Sequence, residues 1–187
     1  VGGAVNVIDM QNHVKSVVTG QITAEEDLIV QAINNAKLLI VPLAISVGMG
    51  GSVAAGVTIS VIVTNTRTLA ETGDLAVLVS KKGSVSVEAL TDEGLIAITT
   101  TGAATTGSAA VGATFAVLVS NSRTEAAVNG SDIQAKQDIL VRAAGDSWTL
   151  AAVIAATASS NSAVSGSVNT VSATYNGVTL RVDQLTK

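Results

Sequence analysis

Residues 115–128 read FAVLVSNSRTEAAV and nearly repeat residues 59–72, which read ISVIVTNTRTLAET. Related stretches begin at residue 5, as VNVIDMQNHVKSVV, and at residue 168, as VNTVSATYNGVTL. These starting points fit a repeat of about 55 residues, and an internal repeat has to be found first because it decides the fold class. We place the units at approximately residues 1–49, 50–104, 105–158 and 159–187, which makes about three and a half copies in one continuous segment.

Two further elements recur in phase in the first three units. The first is a glycine turn with a short apolar strand, and the second is a strand that ends in Val-x-Ala, as at residues 84–89. In that strand Val85, Val87 and Ala89 alternate with polar residues, which is typical of a half-buried β-strand. Residues 23–39 fit a capped amphipathic helix as an alternative, but the aligned segments of the other units favour a strand.

Composition indicates which repeated β-fold is built. The chain is 48% hydrophobic and only 2% aromatic, with 17 Gly and one Pro. Propeller blades are about 40 to 45 residues long and have aromatic packing motifs, whereas a solenoid coil needs aliphatic residues in a narrow interior. We therefore predict an all-β, single-stranded parallel β-helix (β-solenoid), right-handed, with two coils of about 27 residues in each unit.

The repeated stretch carries three more specific expectations. Val61 with Val117, and Val63 with Val119, are predicted to point inward. The polar TNTRT and SNSRT segments are predicted to form the corner after the strand. With two coils per unit, Asn65 and Asn121 would lie about 10 Å apart, too far for a direct hydrogen bond. Seven coils would make a rod about 33 Å long.

Charge excludes some partners. The formal net charge is −4 and there is no basic cluster beyond Lys81 and Lys82, which argues against nucleic-acid binding. Residues 38–66, 94–122 and 147–180 carry no charge and are long enough for a membrane helix. Their glycine and β-branched residues argue against one, so we predict a chain that is not embedded in a membrane. The first residues show neither an initiator Met nor a signal peptide, so we expect a segment of a longer protein.

No catalytic or metal-binding pattern stands out. His13 is the only histidine, and no P-loop, HExxH, EF-hand or calcium repeat occurs. The acidic clusters at residues 25–27 and 92–93 fit solvated turns. We predict no enzyme activity, no metal and no cofactor. The candidates for surface contact are Arg67, Arg123 and Trp148. The tryptophan would either stack on a sugar, fill the core or shield an edge of the rod.

The recurring segments GSVAAGVTISVIVTNTRTLAETG and GSAAVGATFAVLVSNSRTEAAVNG, with the Val-x-Ala strand, resemble the repeats of very large secreted bacterial adhesins. The resemblance is to the leukotoxin-type family of filamentous adhesins, similar in style to filamentous haemagglutinins and autotransporter passengers. It covers essentially the whole chain, although IDMQNHVK and SATYNGVT depart from the pattern in the first and fourth units. The resemblance implies a secreted or surface-anchored β-helical stalk that binds host cells or other bacteria, through a receptor or a glycan, without catalysis.

Two other functions remain as alternatives. One is a polysaccharide-active β-helix domain, which would need carboxylates and basic groups on adjacent coils. The other is a flat face that binds a glycan lattice or ice, suggested by the Thr-rich TTTGAATTG at residues 99–107. Because neither end shows a polar cap, we also expect end-to-end self-association.

Overall fold

The computed structural model describes residues 1–48 and 53–183, and this part of the chain is all-β. The strands are β1 (Gly2–Val18), β2 (Gln21–Ala24), β3 (Leu28–Ile40), β4 (Leu43–Gly48), β5 (Val53–Thr72), β6 (Val77–Ser80), β7 (Val85–Thr105), β8 (Ala109–Asn129), β9 (Asp132–Ala135), β10 (Ile139–Ala158) and β11 (Ser162–Asp183). The alternative of a helix over residues 23–39 is wrong, since β3 occupies most of that segment.

The strands form three parallel sheets, which we name by position. The front sheet has the order β1-β5-β8-β11, the back sheet the order β3-β7-β10 with β4 also paired to β7, and the short end sheet the order β2-β6-β9. A coil passes once through each sheet, for example along β5, β6 and β7, and then enters β8. The predicted parallel β-helix is confirmed, while its handedness stays a prediction.

Each repeat unit makes one coil. Val61 pairs with Val117, and Asn65 pairs with Asn121, on neighbouring strands of the front sheet. The prediction of two coils per unit is wrong because a unit contains two long strands of similar alternation, one in the front sheet and one in the back sheet. Four front strands stack to about 14 Å, whereas a strand of 21 residues extends to about 70 Å. The segment is therefore a broad slab, not the 33 Å rod.

The half of the coil next to the end sheet has an aliphatic core. Its buried residues come from all three sheets: Leu28, Val30, Ala32, Ala70, Leu78, Val85, Val87, Ala89, Ala126, Val128 and Ile133. The predicted inward face of β7 is confirmed here, since Val85, Val87 and Ala89 are all buried. Each buried Val, Leu or Ile of this set contributes about 1.5 to 3 kcal/mol on burial, so this half supplies most of the hydrophobic stabilisation of the coil.

The other half of the coil, which we call the distal half, reverses this pattern. It comprises β5 from residue 53 to 63, β8 from residue 109 to 119, and the strand segments around them, and it coincides with the uncharged stretches of the sequence. Its inward residues are mainly small or hydroxylated; the front sheet contributes Ala54, Gly56, Thr58, Ser60, Ala110, Gly112 and Thr114, all buried. Ile62 and Leu118 of the front sheet bring large aliphatic groups to the interior here, where they form a small cluster with Ile40 and Leu95 of the back sheet.

Close approach of the two large sheets explains the small interior residues. A Cβ at Gly56 would lie 3.1 Å from the carbonyl oxygen of Gly102, and one at Gly112 would lie 2.8 Å from the Thr157 methyl group. Larger aliphatic side chains have no room there and point outward. The prediction that Val61, Val63, Val117 and Val119 point inward is wrong for this reason, since they alternate with the buried Ile62 and Leu118.

Threonine hydroxyls join the sheets across the interior. Thr91 of the back sheet donates to Thr68 of the front sheet, and Thr124 of the next front strand donates to Thr91, both at 2.7 Å. Thr68 and Thr124 are 0% exposed. Thr101 donates in the same way to Thr58. These bonds avoid the cost of an unpaired buried hydroxyl, which is about 1 to 3 kcal/mol.

The turns before the end sheet differ between coils. Gly20 and Gly130 adopt positive φ angles of 84° and 54° in the first and third coils. In the second coil the connection from β5 to β6 is longer, and Leu75 takes the positive φ of 64°. A non-glycine residue is strained in this conformation because its Cβ approaches the backbone.

Candidate surface sites

Arg67 and Arg123 form a ladder on the outer surface of the front sheet. They are paired in register on β5 and β8, and His13 of β1 continues the row. The row lies within the strands, since β5 runs to Thr72 and β8 to Asn129; the predicted corner at TNTRT and SNSRT is wrong. The repeat of these residues thus produces a row of side chains one strand spacing apart.

A buried carboxylate holds the two arginines. Glu125 Oε2 lies 2.8 Å from Arg123 Nη2 and 3.5 Å from Arg67 Nη2. The Glu125 side chain is only 6% exposed, while the two arginine side chains are about half exposed. One negative charge therefore offsets part of two positive charges, and both arginine side chains remain partly accessible to a ligand. The pair can donate to a carboxylate or a hydroxyl of a ligand.

An asparagine ladder runs beside the arginines. Asn121 Nδ2 donates to Asn65 Oδ1 at 2.9 Å, so the expectation that these residues are too far apart is wrong. The expectation was wrong because two coils per unit would have placed one further coil between the two asparagines. Side-chain amides in register on stacked strands form this bond readily, as they do in cross-β structures. The ladder fixes the register of the two coils where the surface changes from apolar to charged.

Trp148 lies on the opposite surface of the slab. It stands on β10, in register with Gly94 of β7 and Lys37 of β3. Its ring covers Gly94, where a Cβ would come within 2.5 Å of the Trp148 Cζ2 atom. Trp148 is 43% exposed, so the ring both shields the coil and offers a face to solvent. The candidate residues therefore do not form one site: the arginines and the tryptophan lie on different sheets.

Polar groups accompany Trp148 on the outer back sheet. The neighbouring row contains Asn35, Asp92 and Asp146, in register on three coils. Lys37 Nζ lies 3.2 Å from an oxygen of Asp92. The two aspartates line a shallow depression of about 280 Å³. We name Trp148, Lys37, Asp92 and Asp146 the tryptophan patch.

The sequence interpretation missed the aspartates of this patch. Residues 92–93 were assigned to a turn, but Asp92 lies within β7. The signal for this site was the repeat itself, since Asp92 and Asp146 occupy equivalent positions of neighbouring units. By contrast, the turn assignment of the cluster at residues 25–27 is confirmed. There Lys81 Nζ donates to Glu25 at 2.5 Å, and this hydrogen bond and the lysine charge hold the pKa of Glu25 below its usual value.

The tryptophan patch has the chemistry of a polar ligand with an apolar face. An exposed indole ring stacks against the C–H face of a sugar, while carboxylates and an ammonium group bind its hydroxyl groups. Within residues 1–48 and 53–183, no group of three or more His, Cys, Asp or Glu side chains is placed to hold a metal ion. In the same part of the chain, no helix has the length and apolar character needed to cross a membrane.

Comparisons with known proteins leave the site to be interpreted from its own chemistry. A scan against protein-family models, a search of curated proteins and a search of solved structures each returned no match.

Proposed function

We propose that this chain is a structural and adhesive segment of a large secreted or surface-anchored bacterial filament, of the leukotoxin-type adhesin kind, without catalytic activity and not embedded in a membrane. The observation that carries the proposal is the regular stacking of one coil per unit, with rows of matching side chains on the outer faces. Such a stack can be extended by adding units, since each coil pairs only with its neighbours.

The open edges support a filament. β1 and β11 are the outer strands of the front sheet, and β3 and β10 are the outer strands of the back sheet. An unpaired strand edge accepts a further strand. In the proposed filament these edges pair with further coils, and end-to-end association of the isolated segment is expected for the same reason.

The proposed adhesive contact is a glycan on the tryptophan patch. The partly neutralised arginine row on the front sheet is the second candidate contact, for an acidic group on the same host or bacterial surface. The Thr-rich stretch that suggested an ice-like lattice gives little support to that alternative, because Thr99, Thr101 and Thr105 face the interior.

A glycan array with purified protein tests the contact. Trp148→Ala should weaken binding at least about tenfold, the cost of losing one aromatic stacking contact. Leu150→Ala is the matched control, because Leu150 lies two residues further along the same exposed face and should leave binding unchanged. Equal losses in both variants, or binding that depends on Arg67 and Arg123 alone, would remove the glycan from the tryptophan patch.

The same material separates the proposed function from the enzymatic alternative. Asp92 and Asp146 are paired carboxylates on adjacent coils, which is the arrangement that a polysaccharide-active domain would require. Incubation of bound polysaccharides with the protein should release no new reducing or unsaturated ends. Release that stops in Asp146→Asn would overturn the non-catalytic proposal, and silence in every binding assay would reduce the segment to scaffold.

A further inference from the structure

The outer front surface of the distal half is apolar over four strands. We call it the distal front face. Its exposed members include residues from β1, β5, β8 and β11: Val5, Val7, Val53, Val57, Ile59, Val111, Phe115, Val117, Val164 and Val168. Val5 is 70% exposed and Phe115 45% exposed. Large contiguous apolar surfaces of this kind usually mark a contact with another molecule.

Further coils would not cover this face. Added coils would pair with the edges of β1 and β11, along the axis of the solenoid. The distal front face points perpendicular to that axis, so it stays open however many coils are stacked. The exposed apolar area would then grow with every coil.

The face has a ridge beside a groove. The ridge is the row formed by Val5, Ile59, Phe115 and Val168. Two positions closer to the distal edge, the row contains the small residues Gly3, Ala113 and Gly166 together with Val57. The two rows lie about 7 Å apart along the strands.

We propose that the distal front face binds the same face of a second copy of this chain, so that two solenoids pack side by side. The two copies would be related by a twofold axis that runs parallel to the solenoid axis, in front of Thr58. The row that contains Ile59 in each copy then faces the row that contains Val57 in the other, so the ridge of each copy lies in the groove of its partner. Residues 53 to 63 are centred on this position, so the two apolar bands overlap fully. An isologous contact of this kind is the commonest form of pairing between identical chains.

The area and charge of the face fit a second copy. Eleven residues from each of β5, β8 and β11, together with the eight residues of β1 from Gly2 to Asp9, cover roughly 600 Å² on each copy and about 1,200 Å² in total, which reaches the range of specific interfaces. Asp9 stands in the border row beside Val63, and the arginine row begins beyond Asn65. The twofold arrangement therefore places Asp9 at the edge of the contact and leaves the arginine row outside it, where water reaches both.

The outer back sheet is a poorer match for self-packing. Leu43, Ile45 and Val47 of β4 are more than half exposed and stand beside Thr100, Gly102 and Ala104 of β7. The outer surface is therefore higher over β4, which carries large aliphatic side chains, than over β7, which carries smaller ones. A stepped surface cannot lie flat on its copy, because sheets packed face to face keep a spacing of about 10 Å.

Sedimentation velocity of the 187-residue chain tests the proposal. The wild-type chain should form dimers, and Phe115→Lys should raise the dimer dissociation constant at least about thirty-fold, the effect of losing an aromatic hot spot. Ile59→Lys should act in the same way. Ile154→Lys is the matched control on the outer back sheet, where Ile154 is similarly exposed, and it should leave the dimer intact. Circular dichroism would confirm that all variants retain β-structure.

Cross-linking identifies the face directly, because the chain has no native Cys. A short bismaleimide should join two Ala113→Cys chains efficiently and two Ala156→Cys chains poorly. A monomeric wild-type chain, or a dimer unaffected by Phe115→Lys, would overturn the proposal. So would a monomer that binds phosphatidylcholine vesicles through this face, since lipid would then be the occupant. End-to-end chains through the strand edges are expected in any case, so an assembly whose size is the same in the wild type and in both lysine variants would reflect edge pairing alone and would also overturn the proposal.

Discussion

Replacing Thr91 by Val should destabilise the protein more than the loss of one hydroxyl suggests. Thr91 is central to a chain of three hydroxyls that joins two coils of the front sheet to the back sheet, with both hydrogen bonds at 2.7 Å. Valine has nearly the same shape, so no cavity forms. The substitution removes the partner of Thr68 and of Thr124, and each is fully buried. At about 1 to 3 kcal/mol for each of the two unpaired hydroxyls, we expect a loss of about 2 to 6 kcal/mol in unfolding free energy.

The triple variant Thr68→Val, Thr91→Val, Thr124→Val should recover most of that loss. With all three hydroxyls replaced, no member of this hydroxyl chain is left without a partner, and replacing paired polar groups by apolar groups of equal shape is nearly neutral. Urea unfolding followed by circular dichroism measures both free energies. A single variant within 0.5 kcal/mol of wild type, or a triple variant less stable than the single one, would refute the reasoning about the hydroxyl chain.

Three other substitutions test separate features of the fold. Gly112→Ala should lower the unfolding free energy by about 1 to 2 kcal/mol, because its Cβ would lie 2.8 Å from the Thr157 methyl group. Gly166→Ala should be neutral in the same urea assay, since a Cβ there would have nothing within 4 Å. Equal effects of the two substitutions would contradict the close approach of the sheets. Leu75→Asn should raise the melting temperature, because it relieves roughly 1 kcal/mol of strain at a positive φ and the 85% exposed side chain loses no packing. Leu75→Ala is the control and should bring no such gain. An equal gain in both variants would argue against backbone strain at this position. Lys81→Met should raise the pKa of Glu25 toward its usual value in an NMR titration. Because the folded-state pKa is lowered, the stabilising contribution of this pair exists above the unfolded-state pKa and disappears as the pH falls through the folded-state pKa. An unchanged titration of Glu25 in the variant would exclude the ion pair.

The predicted and observed structures agree where the residues of one strand alone show which of its faces is buried. Val85, Val87 and Ala89 alternate with polar residues and lie in the aliphatic core, as expected from their period of two. The same rule applied to Val61 and Val63 gave the wrong face. Ile62 and Thr64 lie on the opposite face of the same strand, and one of them is as apolar as the valines. The alternation of polar and apolar residues therefore did not show which face of this strand is buried.

The candidate site shows the same limit. Arg67 and Arg123 are predicted to face outward, and both are exposed. The position of Trp148 was left open by the sequence, and its ring covers Gly94 while remaining 43% exposed. Their separation onto opposite sheets, and the grouping of Trp148 with Asp92 and Asp146, depend on how the unit folds back on itself. That information is absent from the spacing of residues along one unit.

The sequence by itself determined the fold class and the repeat, because a period of about 55 residues and strand alternation are both local properties of the chain. Only the tertiary structure decided that one unit makes one coil and that the distal half has hydroxyls inside and aliphatic groups outside. The physical reason is the distance between the two large sheets. Where they approach closely, as at Gly56 and Gly112, only small or hydroxylated side chains fit between them, and the aliphatic residues are left on the outer faces.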